Sequence, residues 1–294
     1  MTPGAQGHMA MLAFSALVAG SFSLGGLMAN DIAPTAFTAI RFWTAAVFVG
    51  ALALQRKALK PESFRAPWRY ALMGGLFGLY FVLMFEGLRT APPVSAAAVF
   101  TLVPLMAAGF AWVLLRQLLT GRMAWALAIG GAGALWVIFR GDLKAVLAFD
   151  VGRGEAIYFV GCISHALYTP MVRRLNRGES AVTFTFGTVV AGGILLTIYA
   201  WPELRQVDFA TLPARVWVTL FYTAFFATAV TVILLQFATL RLPSAKVMAY
   251  TYLTPSWVII WEIALGNGVP AFVVLGGVML TVLALFMLLR DDGV

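Results

Sequence analysis

"PPVSAAAVFTLVPLM" (92–106) and "PSAKVMAYTYLTPSW" (243–257) align when the chain is slid against itself: Pro92 meets Pro243, Ala98 meets Ala249, Leu102 meets Leu253 and Pro104 meets Pro255. Both stretches lie in apolar runs long enough to cross a bilayer. A proline inside such a run removes a backbone donor and interrupts the helix. The shared proline spacing marks an internal repeat, with halves at 1–146 and 147–294. Each half reads as five spans. Because five is odd, the second half must enter the membrane upside down relative to the first. Inverted repeats with interrupted helices at matching places point to a site near the bilayer midplane, where the halves meet.

Composition supports the same reading. The 294 residues are 62% hydrophobic and 11% charged, whereas soluble domains run near about 45–50% and about 25%. Apolar runs of about 20 residues, enough to cross roughly 30 Å of hydrocarbon, fall at 9–28, 34–55, 67–88, 92–115, 122–140, 154–175, 179–200, 214–239, 242–265 and 269–289. The expected fold is therefore an all-α polytopic membrane protein of ten transmembrane helices, two inverted five-helix repeats around a central cavity, with no soluble domain between spans.

The net charge of +8 does not indicate a nucleic-acid partner, because the basic residues sit at span ends rather than in one stripe. They report orientation. Arg56, Lys57, Lys60, Arg65 and Arg69 fall on one side with Arg116, Arg122, Arg173, Arg174, Arg177, Arg241, Lys246 and Arg290, thirteen of the 20 Lys and Arg. Positive-inside bias then places both termini in the cytoplasm of a multi-pass inner-membrane protein. The first apolar run has no Lys or Arg before it and the length of a span, so it reads as a helix rather than a cleaved leader.

Three stretches resemble one known family. "APTAFTAIRFWTAAVFVGALAL" (33–54), with Pro34 followed by Arg41-Phe42, resembles the second-helix signature of EamA-type members of the drug/metabolite transporter superfamily. "GLRTAPPVSAAAVFTLVPLMAAGFAWVLL" (87–115) is similar to that family's passage from third to fourth helix, and "GGAGALWVI" (130–138) to the glycine-rich fifth helix. The resemblance spans essentially the whole chain. One departure is plain: family members often carry a glutamate after the fourth and ninth helices, where this chain reads Arg116-Gln117 and Gly266-Asn267-Gly268. Overall similarity and an aromatic-rich centre are closest to the YddG group of aromatic amino-acid exporters. The resemblance implies a secondary transporter working by alternating access on aromatic or hydrophobic amino acids or related amphipathic metabolites; a multidrug or other metabolite exporter is the alternative.

Depth decides what each polar side chain in a span means, since a charge at the helix centre costs about 2.5–3.5 kcal/mol on insertion scales. Lys246 lies roughly 6 Å from the end of its span. It either snorkels to the headgroups or faces the cavity to meet a carboxylate. Glu262 is roughly 24 Å further along, too far to pair with it, and reads as interfacial. Glu86 and Arg89 share a helical face, which favours a local ion pair over a substrate contact. Arg41 reads as an anchor or a gate partner for Asp31, not as a binding residue.

The deepest titratable group is His165. Tyr158, Cys162, His165 and Tyr168 form one helical stripe. The histidine is open to two readings, a hydrogen-bonded packing residue or a cavity residue with a range suited to proton coupling. A zwitterionic aromatic substrate needs polar contacts for its termini and a pocket for its ring. His165, Tyr168, Lys246 and Tyr250 are the candidates for the first, and Tyr80, Phe100, Thr101 and Tyr252 for the second, with Pro104 and Pro255 as kink or gating points. Trp68, Trp201 and Trp217 read as interface anchors. Gly74, Gly78, Gly130, Gly131 and Gly133 permit close helix approach. "GGAGALW" lies within a span and has no preceding strand, which excludes a nucleotide loop.

An enzyme or a channel is the rival class. Two histidines, His8 and His165, cannot supply a clustered catalytic set, and Cys162, the only cysteine, offers neither a disulfide nor with His165 a full metal site. No filter loop or ring of like charges is visible. No cofactor or metal is expected. The partners are a small-molecule substrate and the lipid bilayer, and the oligomeric state stays open.

Overall fold

The computed structural model describes residues 2–118, 120–148 and 151–289. Arg290 lies outside the described residues. Among these, every regular element is helical: α1 (Pro3–Met28), α2 (Pro34–Gln55), α3 (Trp68–Gly87), α4 (Pro93–Phe100), α5 (Val103–Leu115), α6 (Gly121–Ile138), α7 (Leu143–Ala148), α8 (Arg153–Leu175), α9 (Ala181–Tyr199), α10 (Trp201–Leu204), α11 (Ala214–Ala224), α12 (Thr231–Thr239), α13 (Ser244–Ala249), α14 (Thr254–Ala264) and α15 (Phe272–Leu289). A helix satisfies its backbone within the segment, so it suits a medium without water. Thr2, Thr120 and Ser180 cap α1, α6 and α9 by accepting an N–H of the first turn.

Eight described helical stretches are long and apolar enough to cross a membrane. The two other expected spans differ for visible reasons. α8 is long enough at 23 residues but less apolar. The ninth is divided into α13, a 3₁₀ turn (Tyr250–Leu253) and α14. The first helix starts six residues earlier than its apolar run, at Pro3.

Two pairs of helices far apart in the chain touch and run in opposite directions. Between α2 and α9, Trp43 Nε1 donates to Thr197 Oγ1 at 2.8 Å while Gly50, one way along α2, meets Phe186, the other way along α9. Between α6 and α15, Trp136 Nε1 donates to Val273 O at 2.8 Å, with Gly133 against Gly277. α4 packs on α14, and α5 on α13. Further contacts join α3 with α8 and α1 with α12, α3 with α9 and α2 with α11, and α5 with α8 and α1 with α14.

Glycine makes the closest approaches possible. A Cβ on Gly74 would stand 2.4 Å from the backbone N of Gly192, and one on Gly130 would stand 2.3 Å from the Tyr252 ring. Gly131 was expected at such a contact but has nothing within 4 Å of a Cβ position.

The interrupted spans break just before their prolines. α4 ends at Phe100 and α5 begins at Val103, so Pro104 is in the first turn of the new helix, as Pro255 is in α14. At that place a missing N–H leaves no bond unmade. The prolines thus start second helices instead of kinking continuous ones. A threonine hydroxyl bonds a carbonyl of the preceding turn at each break, Thr101 to Ala98 O and Thr251 to Met248 O.

Arg41 corrects its sequence reading. Asp31, read as its gate partner, is held by Arg215 instead. Fully buried, Arg41 donates to Thr228 Oγ1 at 2.6 Å and Ala227 O at 2.8 Å, and its guanidinium lies 3.6 Å over the Phe81 ring. Both oxygens belong to a π-helical turn, Phe225–Val230, between α11 and α12. Glu86 and Arg89 do pair, at 3.2 Å. Glu262 accepts from Asn267 at the end of α14, and Trp68, Trp201 and Trp217 are exposed.

Candidate functional site

The stripe on α8 meets α3 at the centre of the bundle. On α3, Phe77, Tyr80 and Phe81 follow i, i+3, i+4 spacing and so share one face. Against them α8 presents Tyr158, Cys162, His165 and Tyr168, all buried. The rings are layered. His165 lies on Tyr80 with centroids 4.4 Å apart and planes 26° apart, and Phe77 stacks on Tyr168 at 4.8 Å. His165 and Tyr168 are within 7° of parallel. Phe100, the last residue of α4 before the break, closes one side at 5.4 Å from His165. Phe22 of α1 stands edge-on to Tyr158.

Polar groups punctuate this apolar box. Tyr158 Oη donates to Tyr80 Oη at 3.1 Å, and Gln236 Nε2 of α12 donates to Tyr168 Oη at 3.1 Å. Several buried atoms have no hydrogen-bond partner in the protein: both ring nitrogens of His165, Gln236 Oε1, and the hydroxyls of Thr169 and Thr185. Buried polar atoms are nearly always paired, with protein, water or ligand. Pro170, inside α8, also leaves the carbonyl of Ala166 without its helical N–H, next to His165. His165 thus has two unmade bonds of its own, with an unpaired Thr169 hydroxyl one turn along the same helix.

The sequence candidates divide. His165, Tyr168, Tyr80 and Phe100 come together. Thr101 adjoins them but its hydroxyl is committed to Ala98 O at 2.6 Å. Tyr250 and Tyr252 turn elsewhere: Tyr250 Oη is 3.1 Å from His8 Nδ1 on α1, and the Tyr252 ring lies against Gly130 with its hydroxyl 3.5 Å from Leu127 O. Lys246 is part-exposed on α13. Sequence reasoning missed Phe77, Phe22 and Gln236. The glutamine had a signal, a lone amide in "TVILLQFAT" (231–239). The two phenylalanines had none, since apolar residues are everywhere in a span.

The fold and the site define a polytopic helical membrane protein with a buried aromatic cluster that carries unpaired polar atoms. The profile of the EamA-like transporter family matches residues 5–139 and again 152–290, and the chain belongs to that family; it is a membrane transporter. It is 25% identical over 275 residues to an uncharacterized transporter, YyaM, of Bacillus subtilis (strain 168), covering 92% of this chain and 90% of that one. A solved structure described only as a crystal structure of a protein superposes with a TM-score of 0.74 at 20% identity, over 98% of this chain and 97% of that one. That likeness concerns the fold. Family and relative point to transport rather than catalysis.

Proposed function

We propose that the protein is an alternating-access exporter of aromatic or other hydrophobic amino acids, or closely related amphipathic metabolites, of the YddG kind. In this reading ten spans form two inverted five-helix repeats, 1–146 and 147–294, in the inner membrane with both termini cytoplasmic. The two-fold match of the family profile and the antiparallel pairs α2 with α9 and α6 with α15 support it.

One observation carries the substrate class: His165 lies flat on Tyr80 within a set of layered rings, and its two nitrogens have no protein partner. A planar apolar group slides between such rings by offset stacking, gaining about 0.5–1.5 kcal/mol beyond area burial. A polar terminus takes up the unmade hydrogen bonds of His165, Gln236 and Thr169. Rocking of one half against the other then opens this site to each side in turn.

A radiolabelled panel of phenylalanine, tryptophan, threonine and a cationic drug, in proteoliposomes preloaded with unlabelled phenylalanine, tests the reading. Counterflow of phenylalanine and tryptophan is expected. Counterflow of the drug alone would replace the amino-acid reading with the multidrug one, and uptake insensitive to trans substrate would end the carrier reading.

A further inference from the structure

At each end of the bundle one ion pair ties the halves together. Where the α2–α3 and α8–α9 links meet, Arg69 Nη2 donates to Glu179 Oε1 at 2.7 Å. At the opposite end Arg215 grips Asp31 in two bonds, Nε to Oδ2 at 2.5 Å and Nη2 to Oδ1 at 2.6 Å. These are the same interaction made twice. Arg69 is the second residue of α3 and Arg215 the second residue of α11, the helices that open the third span of each half. Asp31 follows the end of α1 by three residues, and Glu179 follows the end of α8 by four, each in the link after the first span of its half. α2 runs from beside Asp31 to the loop that leads to Arg69. Its 22 residues, at ~1.5 Å each, set the pairs roughly 33 Å apart.

The two pairs differ in setting. The side chains of Arg69 and Glu179 are 2% and 5% exposed. Arg69 also donates to Leu175 O and Ser63 O, and Glu179 Oε2 accepts the N–H of Arg177. Arg215 and Asp31 are 55% and 17% exposed. Solvent screens the second pair, whereas removing one partner of the first strands a buried charge.

Resting on the carrier reading above, we propose that these equivalent ion pairs are the two gates of the transport cycle. Each joins one half to the other at its own end, so the site opens to an end only when the pair there separates, while the pair at the far end acts as the hinge-side clasp. With both closed, as here, the aromatic centre is sealed from both sides. The heavier clasp at Arg69 and Glu179 biases the unloaded protein toward opening at the Asp31 end, by the ordinary rule that the weaker of two competing contacts yields more often.

The native thiol is a built-in reporter. Cys162 is fully buried beside Tyr158 and His165, so a small charged thiol reagent reaches it only from an open side. The full-length protein in oriented proteoliposomes is labelled from each face, the faces being assigned in a Cys162→Ser, Asn267→Cys control. Asp31→Asn and Arg215→Gln are expected to raise the labelling rate from the Asp31 face by roughly threefold, and Glu179→Gln to raise it from the other face by roughly tenfold or more. The exchange Asp31→Arg with Arg215→Asp restores the wild-type ratio.

Unchanged side preference in all three single variants, with Cys162 still labelled and counterflow intact, would overturn the gates and leave the carrier standing. Failure to label Cys162 from either face in every variant would take down the central pathway and the gates with it. Glu179→Gln keeps a hydrogen-bond acceptor for Arg69, which guards against mere misfolding.

Discussion

The imidazole of His165 rests on the ring of Tyr80, centroids 4.4 Å apart, and both groups are buried where α3 and α8 cross the middle of the bundle. Stacking holds the imidazole in place while its two nitrogens stay free of protein partners. Position is thus set by the ring face and chemistry is left to the ring edge.

If that edge carries a transported proton, His165→Gln loses accumulation driven by a pH gradient but keeps counterflow. His165→Phe preserves the stacking and removes both nitrogens, so counterflow itself should fall about tenfold or more, the equivalent of about 1.4 kcal/mol from one lost polar contact. Full gradient-driven accumulation by the glutamine variant would exclude the proton role.

Tyr80 and Tyr252 looked alike in sequence and should behave differently. Tyr80→Leu removes a stacking face and is expected to raise the half-saturating concentration of phenylalanine by about 2–10-fold. Tyr252→Phe loses only a 3.5 Å contact to Leu127 O and should transport normally. Concentration curves for counterflow check both; an equal effect of the two would remove Tyr80 from the site.

Helix contact at Gly74 is a test of the fold. An added methyl would meet backbone atoms of Gly192 and Thr188 at 2.4 and 2.6 Å, and backbone cannot rotate away. Gly74→Ala should therefore destabilise the protein by about 1–3 kcal/mol. Gly131→Ala, with open space around it, should be neutral. Thermal unfolding in detergent compares them directly.

Both gate carboxylates titrate below the usual range. Hydrogen bonds from Arg215 lower Asp31. Burial works against Glu179, yet the bonds from Arg69 and the Arg177 N–H outweigh it and lower that group too. A depressed folded value means that the stabilisation is fully present above the unfolded value, near pH ~4, and is lost as pH falls through the folded one. Stability should accordingly be level from about pH 8 to about pH 5 in this respect and decline below about pH 4. Glu179→Gln should flatten that acid limb, and an unchanged limb in the variant would show that other groups govern it.

Apolar length and the proline spacing are properties of the chain in one dimension, which is why the helical membrane class and most helix positions were legible in the sequence. The burial of His165, Tyr168 and Tyr80 was legible too, because a polar atom deep in an apolar run is conspicuous wherever its helix points. Facing was not legible. In a helix that is apolar all round, hydrophobic periodicity says nothing about which side meets the centre, so Tyr250 and Tyr252 gave no hint that they turn toward His8 and Gly130. Long-range partners were hidden for the same reason. Asp31 and Arg41 are near neighbours in the chain, but packing of α2 against the π turn buries Arg41 on Thr228 and Ala227 and leaves Asp31 to Arg215. Chain order sets which groups are present at each depth; helix rotation and packing, fixed by close contacts such as Gly74 on Gly192, choose which of them meet.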